Sequence, residues 1–166
     1  MTVSNDLHTY RYGTPGNASQ PVSQPLGAGV TIYRGQIAGT DTNGNLKNMD
    51  TPASTDVVWG LVDQVSGGSQ AETGPGITNS GGSGAVTVDV ATGSFMLLNG
   101  GSGGDALTQA SIGKTVYVID SQTVGATSAS ATRPVAGVLI AIDPSLSPGR
   151  EFAVRLGSNQ SSGGPQ

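Results

Sequence analysis

Ser111-Ile112-Gly113-Lys114-Thr115 contains the Gly-Lys-Thr triplet that closes a phosphate-binding loop. Such a loop cradles phosphates with backbone N–H groups, and its Lys reaches their charge. The pattern places another Gly five residues before Gly113, where this chain has Thr108. It also needs a helix after the Thr, so that the helix N-terminal amides face the anion. Here Thr115 leads into Val116-Tyr117-Val118-Ile119, a β-branched and aromatic run that predicts a strand. The triplet therefore reads as a turn at Gly113, with Lys114 an exposed charge at the start of the strand.

Other residues capable of chemistry are equally isolated. Gly100 to Gly104 matches the Gly-x-Ser-x-Gly nucleophile elbow, but an elbow needs a strand before it, a helix after it and a His as base. His8 is the only histidine and stands near the N-terminus. Cysteine is absent, so a disulfide framework and thiolate chemistry are excluded, and a zinc site would have to use His8 with carboxylates. Asp41, Asn43 and Asn45 alternate like the start of a calcium loop, whose sixth position is Gly and twelfth Glu. Those positions are Leu46 and Pro52, so a hairpin turn explains the run better. Asp50, Asp56, Asp63, Asp89, Asp120 and Asp143 are scattered near strand ends, and no pair reads as acid and base. Asn17 and Asn159 begin glycosylation triplets, which carry no meaning without a secretory route.

The elements that would position any site are strands. Gly29 onward gives Val30-Thr31-Ile32-Tyr33 and on to Gly39 as a short strand, then a turn at Asn43-Gly44. Val57 to Val65 is a second strand, in which Gly60 predicts a bulge or a close backbone approach. Val86, Val88 and Val90 alternate onto one face. Phe152, Val154 and Leu156 do the same, with Glu151 and Arg155 on the other face. Residues 66–84 read as a long flexible Gly/Ser/Thr loop, and residues 105–111 as one helical turn with Asp105 as N-cap. Seven or eight short strands separated by Gly, Pro and Asn turns predict an all-β fold. The expected form is a single small β-barrel or β-sandwich, β-tulip or jelly-roll-like, over residues 27–157.

Pro15, Pro21 and Pro25 punctuate residues 1–26, which predicts an extended N-terminal arm without packed structure. Tyr10 and Tyr12 flank Arg11 in it; they either dock on a partner or fold back on their own domain. Residues 158–166 read as a flexible tail. The first residues lack the apolar core of a signal peptide, and no apolar run approaches the roughly 20 residues of a membrane span. The expectation is a soluble protein made inside a cell, with no membrane partner.

Charged residues are 11% of the 166, and the formal net charge is −4, with Lys and Arg together numbering seven. A phosphate-neutralising face needs a basic cluster, so direct nucleic-acid binding is not expected. The polar residues are mostly uncharged Ser, Thr, Asn and Gln. Such a surface reflects either compositional drift or extensive contact with other protein. With one Trp, four Tyr and two Phe, the core is modest and would gain from burial between subunits.

From Asp105 the chain resembles the small capsid decoration, or cement, proteins of tailed bacteriophages. The likeness lies in Gly113-Lys114-Thr115-Val116-Tyr117-Val118, a turn with Asp120, Thr123 and Val124, and a Ser/Thr-rich loop to Arg133. Ala136-Gly137-Val138 and the closing strand at Glu151 to Leu156 complete it. Leu26 to Ala38 also resembles the entry strand of such proteins. The likeness covers about 60 residues well and about 40 more loosely. It implies a small β-barrel or sandwich on the virion exterior, made in the host bacterial cytoplasm, commonly trimeric, bound to the major capsid protein. It implies no catalytic, cofactor or metal residues. Known members often grip the capsid with an N-terminal arm. On that basis Tyr10, Arg11, Tyr12, Pro15, Pro21 and Pro25 are the candidate contacts. The long 66–84 and 99–104 loops depart from the shorter members.

Two other readings compete. A carbohydrate-binding module of a fibre or cell-surface protein would show an aromatic platform, for which Trp59, Tyr33 and Tyr117 are the candidates. Their apolar strand settings favour core packing. A small β-barrel enzyme would show a cleft with two close carboxylates.

Overall fold

The computed structural model describes residues 21–65, 76–100, 102–143 and 151–157. They form an all-β protein. The strands are β1 Val22–Pro25, β2 Thr31–Ile32, β3 Ile37–Thr40, β4 Leu46–Asn48, β5 Val57–Val65 and β6 Ile77–Thr78. Then come β7 Thr87–Ala91, β8 Gly93–Asn99, β9 Thr115–Val118, β10 Thr123–Gly125, β11 Val135–Ile142 and β12 Phe152–Leu156. The strands outnumber the expected seven or eight because several are only two to four residues long.

The first half is an antiparallel sheet in the order β1-β7-β5-β3-β4. It curls until Leu26, just past β1, bridges Leu46 in β4, with Gly27 N donating to Leu46 O at 2.9 Å. The concave side holds Leu26, Ile32, Ala38, Leu46, Val62, Val88 and Val90, with Val86 and Ile77 packed against them. The predicted alternation of Val86, Val88 and Val90 is thus realised. The short ribbon of β2 and β6 adds Ile32 and Ile77 to this cluster.

The second half is a closed barrel in the order β10-β8-β12-β11-β9. Its closing seam is the parallel pair of β8 and β10, with Leu98 opposite Thr123 and Asn99 opposite Val124. Phe95, Leu97, Val116, Val118, Val124, Leu139, Phe152, Val154 and Leu156 fill a cluster that continues into Ile37, Met49, Val58, Leu61 and Ala91 of the curled sheet. The two halves therefore share one core. Burying one such side chain contributes about 1.5–3 kcal/mol, so this shared cluster is the main force holding the halves together. Along β12 the expected alternation holds: Phe152, Val154 and Leu156 are buried and Arg155 is exposed.

β5 serves both cores because of a bulge. Val58 and Leu61 face the shared core, yet they are three residues apart, which a regular strand forbids. Ala38 pairs with Gly60 and Gly39 with Val58, so Trp59 is an extra residue that resets the alternation. Gly60 is required there: a Cβ would stand 2.0 Å from Ala91 O. The close backbone approach expected at this glycine is what the fold uses. β11 repeats the device, with Ala136 the extra residue between the Val135–Tyr117 and Gly137–Val116 pairs.

Four expectations need correction. Residues 22–26 are not arm: β1 pairs with β7 and Leu26 is fully buried, because Pro25 sits on an edge strand where a missing N–H is tolerated. The strand predicted from Val30 to Gly39 is two strands. Gly35, at φ 81°, turns the chain between them, and Gln36 Oε1 accepts from Tyr33 N at 2.9 Å. The 66–84 loop is in part built structure, since β6 lies within it and Asn79 is fully buried. Asp105 does not cap a helical turn. Gly103–Asp105 and Gln109–Ser111 are separate 3-10 turns, and the Asp105 carboxylate reaches a distant loop instead.

Candidate contact surface

The Gly113-Lys114-Thr115 triplet lies in a turn that leads into a strand. Gly113 adopts φ 81° and its N–H donates to Leu139 O at 2.8 Å. Lys114 and Thr115 are exposed, and β9 follows, not a helix. Among the described residues no helix follows Thr115 to turn its N-terminal amides toward a phosphate here.

The other candidates for chemistry are tied into structure. Asp41 Oδ1 accepts from Asn43 N at 2.8 Å and Asn45 N at 3.0 Å, closing the hairpin between β3 and β4. The Asn45 backbone bond is the main reason its carboxyl lies below the ordinary value. Asp56 pairs with Lys47 at 2.9 Å and accepts from Ala53 N at 2.8 Å. Asp89 accepts from Ser23 Oγ across β7 and β1. Asp50 accepts from Ser121 Oγ, which in turn accepts from Gln36 Nε2. That relay resembles a nucleophile with helpers, but Gln36 and Ser121 are fully buried, so a substrate could not reach it. Among the described residues no group of three or more His, Cys, Asp or Glu side chains stands close enough to share a metal ion. No described helix is long and apolar enough to cross a membrane.

The three rings considered as a sugar platform stand on different elements: Tyr33 after β2, Trp59 on β5 and Tyr117 on β9. All three are half-buried. Trp59 packs on the concave core, and its Nε1 donates to Thr40 Oγ1 at 3.2 Å. Their packing follows the apolar strand pattern.

Of the six candidate contact residues, Tyr10, Arg11, Tyr12 and Pro15 lie outside the described residues. Pro21 and Pro25 are exposed and bracket β1, the strand through which the chain enters the sheet. Val22 between them is 45% exposed, the most open large apolar side chain described. The structure thus places the two prolines on one edge.

A second exposed feature was not legible in sequence. After β10 the chain runs through residues 126–134 before β11. Ala129, Ser130 and Ala131 take φ values of 47°, 61° and 64°, a left-handed turn built from three non-glycine residues. Each such residue costs about 1–2 kcal/mol relative to a right-handed conformation, so the surroundings must hold the turn. Thr132 N and Arg133 N donate to Ser128 O at 3.0 and 3.2 Å. Ser128 Oγ accepts from Ala131 N at 3.2 Å, and Thr132 Oγ1 donates to Ala129 O at 2.8 Å.

Asp105 anchors the base of this loop. Its Oδ2 accepts from Arg133 Nη1 at 2.7 Å, and its Oδ1 accepts from both the N–H and the hydroxyl of Thr127 at 2.9 Å. Arg133 Nη1 also donates to Thr127 O at 3.2 Å. Partial burial by itself would raise the Asp105 carboxyl; the bonds from Arg133 and Thr127 outweigh it and hold the group below its ordinary value. The only sequence sign of this site was the resemblance, in which a Ser/Thr-rich loop reaches Arg133.

No protein-family model matches the chain, and neither the curated proteins nor the solved structures include a significant match.

Proposed function

We propose that this chain is a structural capsid decoration protein. It binds the outer surface of a tailed-phage head and stabilises it by bridging neighbouring major capsid protein subunits. The observation that carries the reading is where the resembling segments fall. Gly113 to Val118, the Asp120–Val124 turn, the loop to Arg133 and Ala136-Gly137-Val138 occupy three consecutive strands of the closed barrel and their connections. The segments thus belong to one structural unit, the closed barrel.

Two physical points support it. The exposed turns at 42–44, 80–85 and 127–132 carry no charged side chain. A surface of this kind binds through many small terms spread over a large area. The chain also enters the sheet at the edge strand β1, where Pro21, Val22 and Pro25 are exposed. A trimer at threefold positions fits the modest core, since burial between copies adds stability by mass action. In this role the protein raises the barrier to shell opening, because each local rupture must also break its contacts.

The test is co-sedimentation with heads of the phage that carries the chain, stripped of it beforehand. Full-length protein is expected to saturate the heads at a fixed ratio, and a version lacking residues 1–20 to bind at least tenfold more weakly. Failure of the full-length protein to bind overturns the proposal.

A further inference from the structure

We infer that Ser121 and Gln36 react with each other and join the barrel to the curled sheet by an internal ester bond. The pair stands among every group an acyl transfer needs: an acyl donor, a nucleophile, a base and an oxyanion donor. Both residues are 0% exposed, so no outside substrate can enter. None is required, because the acyl donor is the Gln36 side-chain amide itself.

Ser121 Oγ is the nucleophile. It accepts from Gln36 Nε2 at 3.1 Å and donates its own proton to Asp50 Oδ1. The carbon to be attacked, Gln36 Cδ, is one bond beyond Nε2, so the hydroxyl needs only to slide from the edge of the amide to its face. Gln36 Oε1 accepts from Tyr33 N at 2.9 Å, and the same N–H stabilises negative charge that develops on this oxygen. Ile37 N donates to Ser121 O at 2.6 Å, which pins the chain next to Gln36 against the turn that carries Ser121. The fold thus holds the reacting groups together, and such positioning replaces a high concentration of reactant. Asp50 is half-buried, so the site is less closed at its base than at the reacting pair.

The Ser121 hydroxyl proton passes to the Asp50 carboxylate as Oγ bonds to Gln36 Cδ. The Cδ–Nε2 bond then breaks, and the proton on Asp50 goes to the departing nitrogen, which leaves as ammonia. One amide and one hydroxyl become one ester and one ammonia, and Asp50 ends as it began. No further reactant is consumed. Burial then keeps from the ester the water that would hydrolyse it. The hydrogen-bonded pair is the state from which the reaction starts, and the ester accumulates after folding. It ties residues 85 positions apart, so the barrel could not separate from the curled sheet without breaking a covalent bond.

The experiment is intact-mass and tandem mass spectrometry of the full-length chain, freshly purified and after incubation at neutral pH. Expected is a chain lighter by one ammonia, with the loss located in a linked peptide that contains both Gln36 and Ser121. Mild alkali is expected to open the link and leave a carboxylate in place of the Gln36 amide. Ser121→Ala is expected to keep its full mass, and Asp50→Asn to lose ammonia at least about a hundredfold more slowly. An Asp50→Asn rate equal to wild type overturns the assignment of the base. Asn43-Gly44 and Asn99-Gly100 can also shed ammonia, by closing succinimide rings. A loss located at either of them, with the Gln36 and Ser121 peptides unlinked, overturns the ester. An unchanged wild-type mass after incubation does the same, so wild type alone is decisive should either variant fold poorly.

Discussion

Gln36 Nε2 donates to Ser121 Oγ at 3.1 Å, across 85 positions of sequence, and both residues are 0% exposed. The pair is a polar bolt between the curled sheet and the barrel. Gln36 leads into β3, and Ser121 lies in the turn between β9 and β10. Beside them Ile37 N donates to Ser121 O at 2.6 Å, and the Ser121 hydroxyl donates to Asp50. Removing the hydroxyl strands a buried amide donor. Ser121→Ala is expected to cost about 1–3 kcal/mol, read as a lower urea midpoint with unchanged slope. A loss below a few tenths of a kcal/mol would show that the bolt adds nothing.

Gly60 separates steric need from conformational freedom. A Cβ there meets Ala91 O at 2.0 Å, whereas one at Gly44, with φ 80°, meets open space. Gly60→Ala must push β5 from β7 and is expected to cost at least about 3 kcal/mol, at the upper end for overpacking. Gly44→Ala is expected to cost about 1–2 kcal/mol, the left-handed penalty alone. Equal melting temperatures for the two variants would contradict the bulge account.

Asp105 sets part of the acid limb of stability. Its folded value is below the ordinary 3.8, held there against burial by the bonds from Arg133 and Thr127. A depressed carboxyl contributes stability that is present above its unfolded value. That contribution is lost as pH falls below 3.8 through the folded value. Asp105→Asn is therefore expected to be less stable at neutral pH and to show a shallower decline as pH falls below 3.8. Urea midpoints at several pH values give the comparison; parallel acid limbs would remove Asp105 from the account.

Ala131 tests the strain directly. Replacing it with Gly removes about 1–2 kcal/mol of left-handed cost and adds about 0.5–1 kcal/mol of unfolded-state entropy. The net expectation is a gain of about 0.5–1 kcal/mol, seen as a higher melting temperature. A lower one would mean that the Ala131 methyl packs within the chain.

Much of the fold was legible from side-chain period. Val86, Val88 and Val90, and Phe152, Val154 and Leu156, show their buried faces directly, because strand alternation is a local property. Gly60 and Asn43-Gly44 marked a bulge and a turn for the same reason. Asn79 was not legible. It sits in a glycine- and serine-rich stretch, yet its amide donates to Leu26 O at 2.8 Å and Gly82 O at 3.0 Å and accepts from Gly81 N at 3.0 Å. One partner is 53 residues away, and local composition says nothing about it.

The amino-acid sequence by itself determined the all-β character, the turn at Asn43-Gly44, and the absence of a phosphate loop at Gly113. These depend on steric preferences within a few residues. Only the tertiary structure decided that Leu26 closes the curled sheet on Leu46, that β8 and β10 close the barrel in parallel, and that Asp105 clamps Arg133. Each joins segments far apart in sequence, and such pairings are chosen by the energy of the whole packed core. The left-handed turn at Ala129–Ala131 belongs with them. Its residues locally prefer other conformations, and only the bonds from Ser128, Thr132 and the Asp105 clamp hold them there.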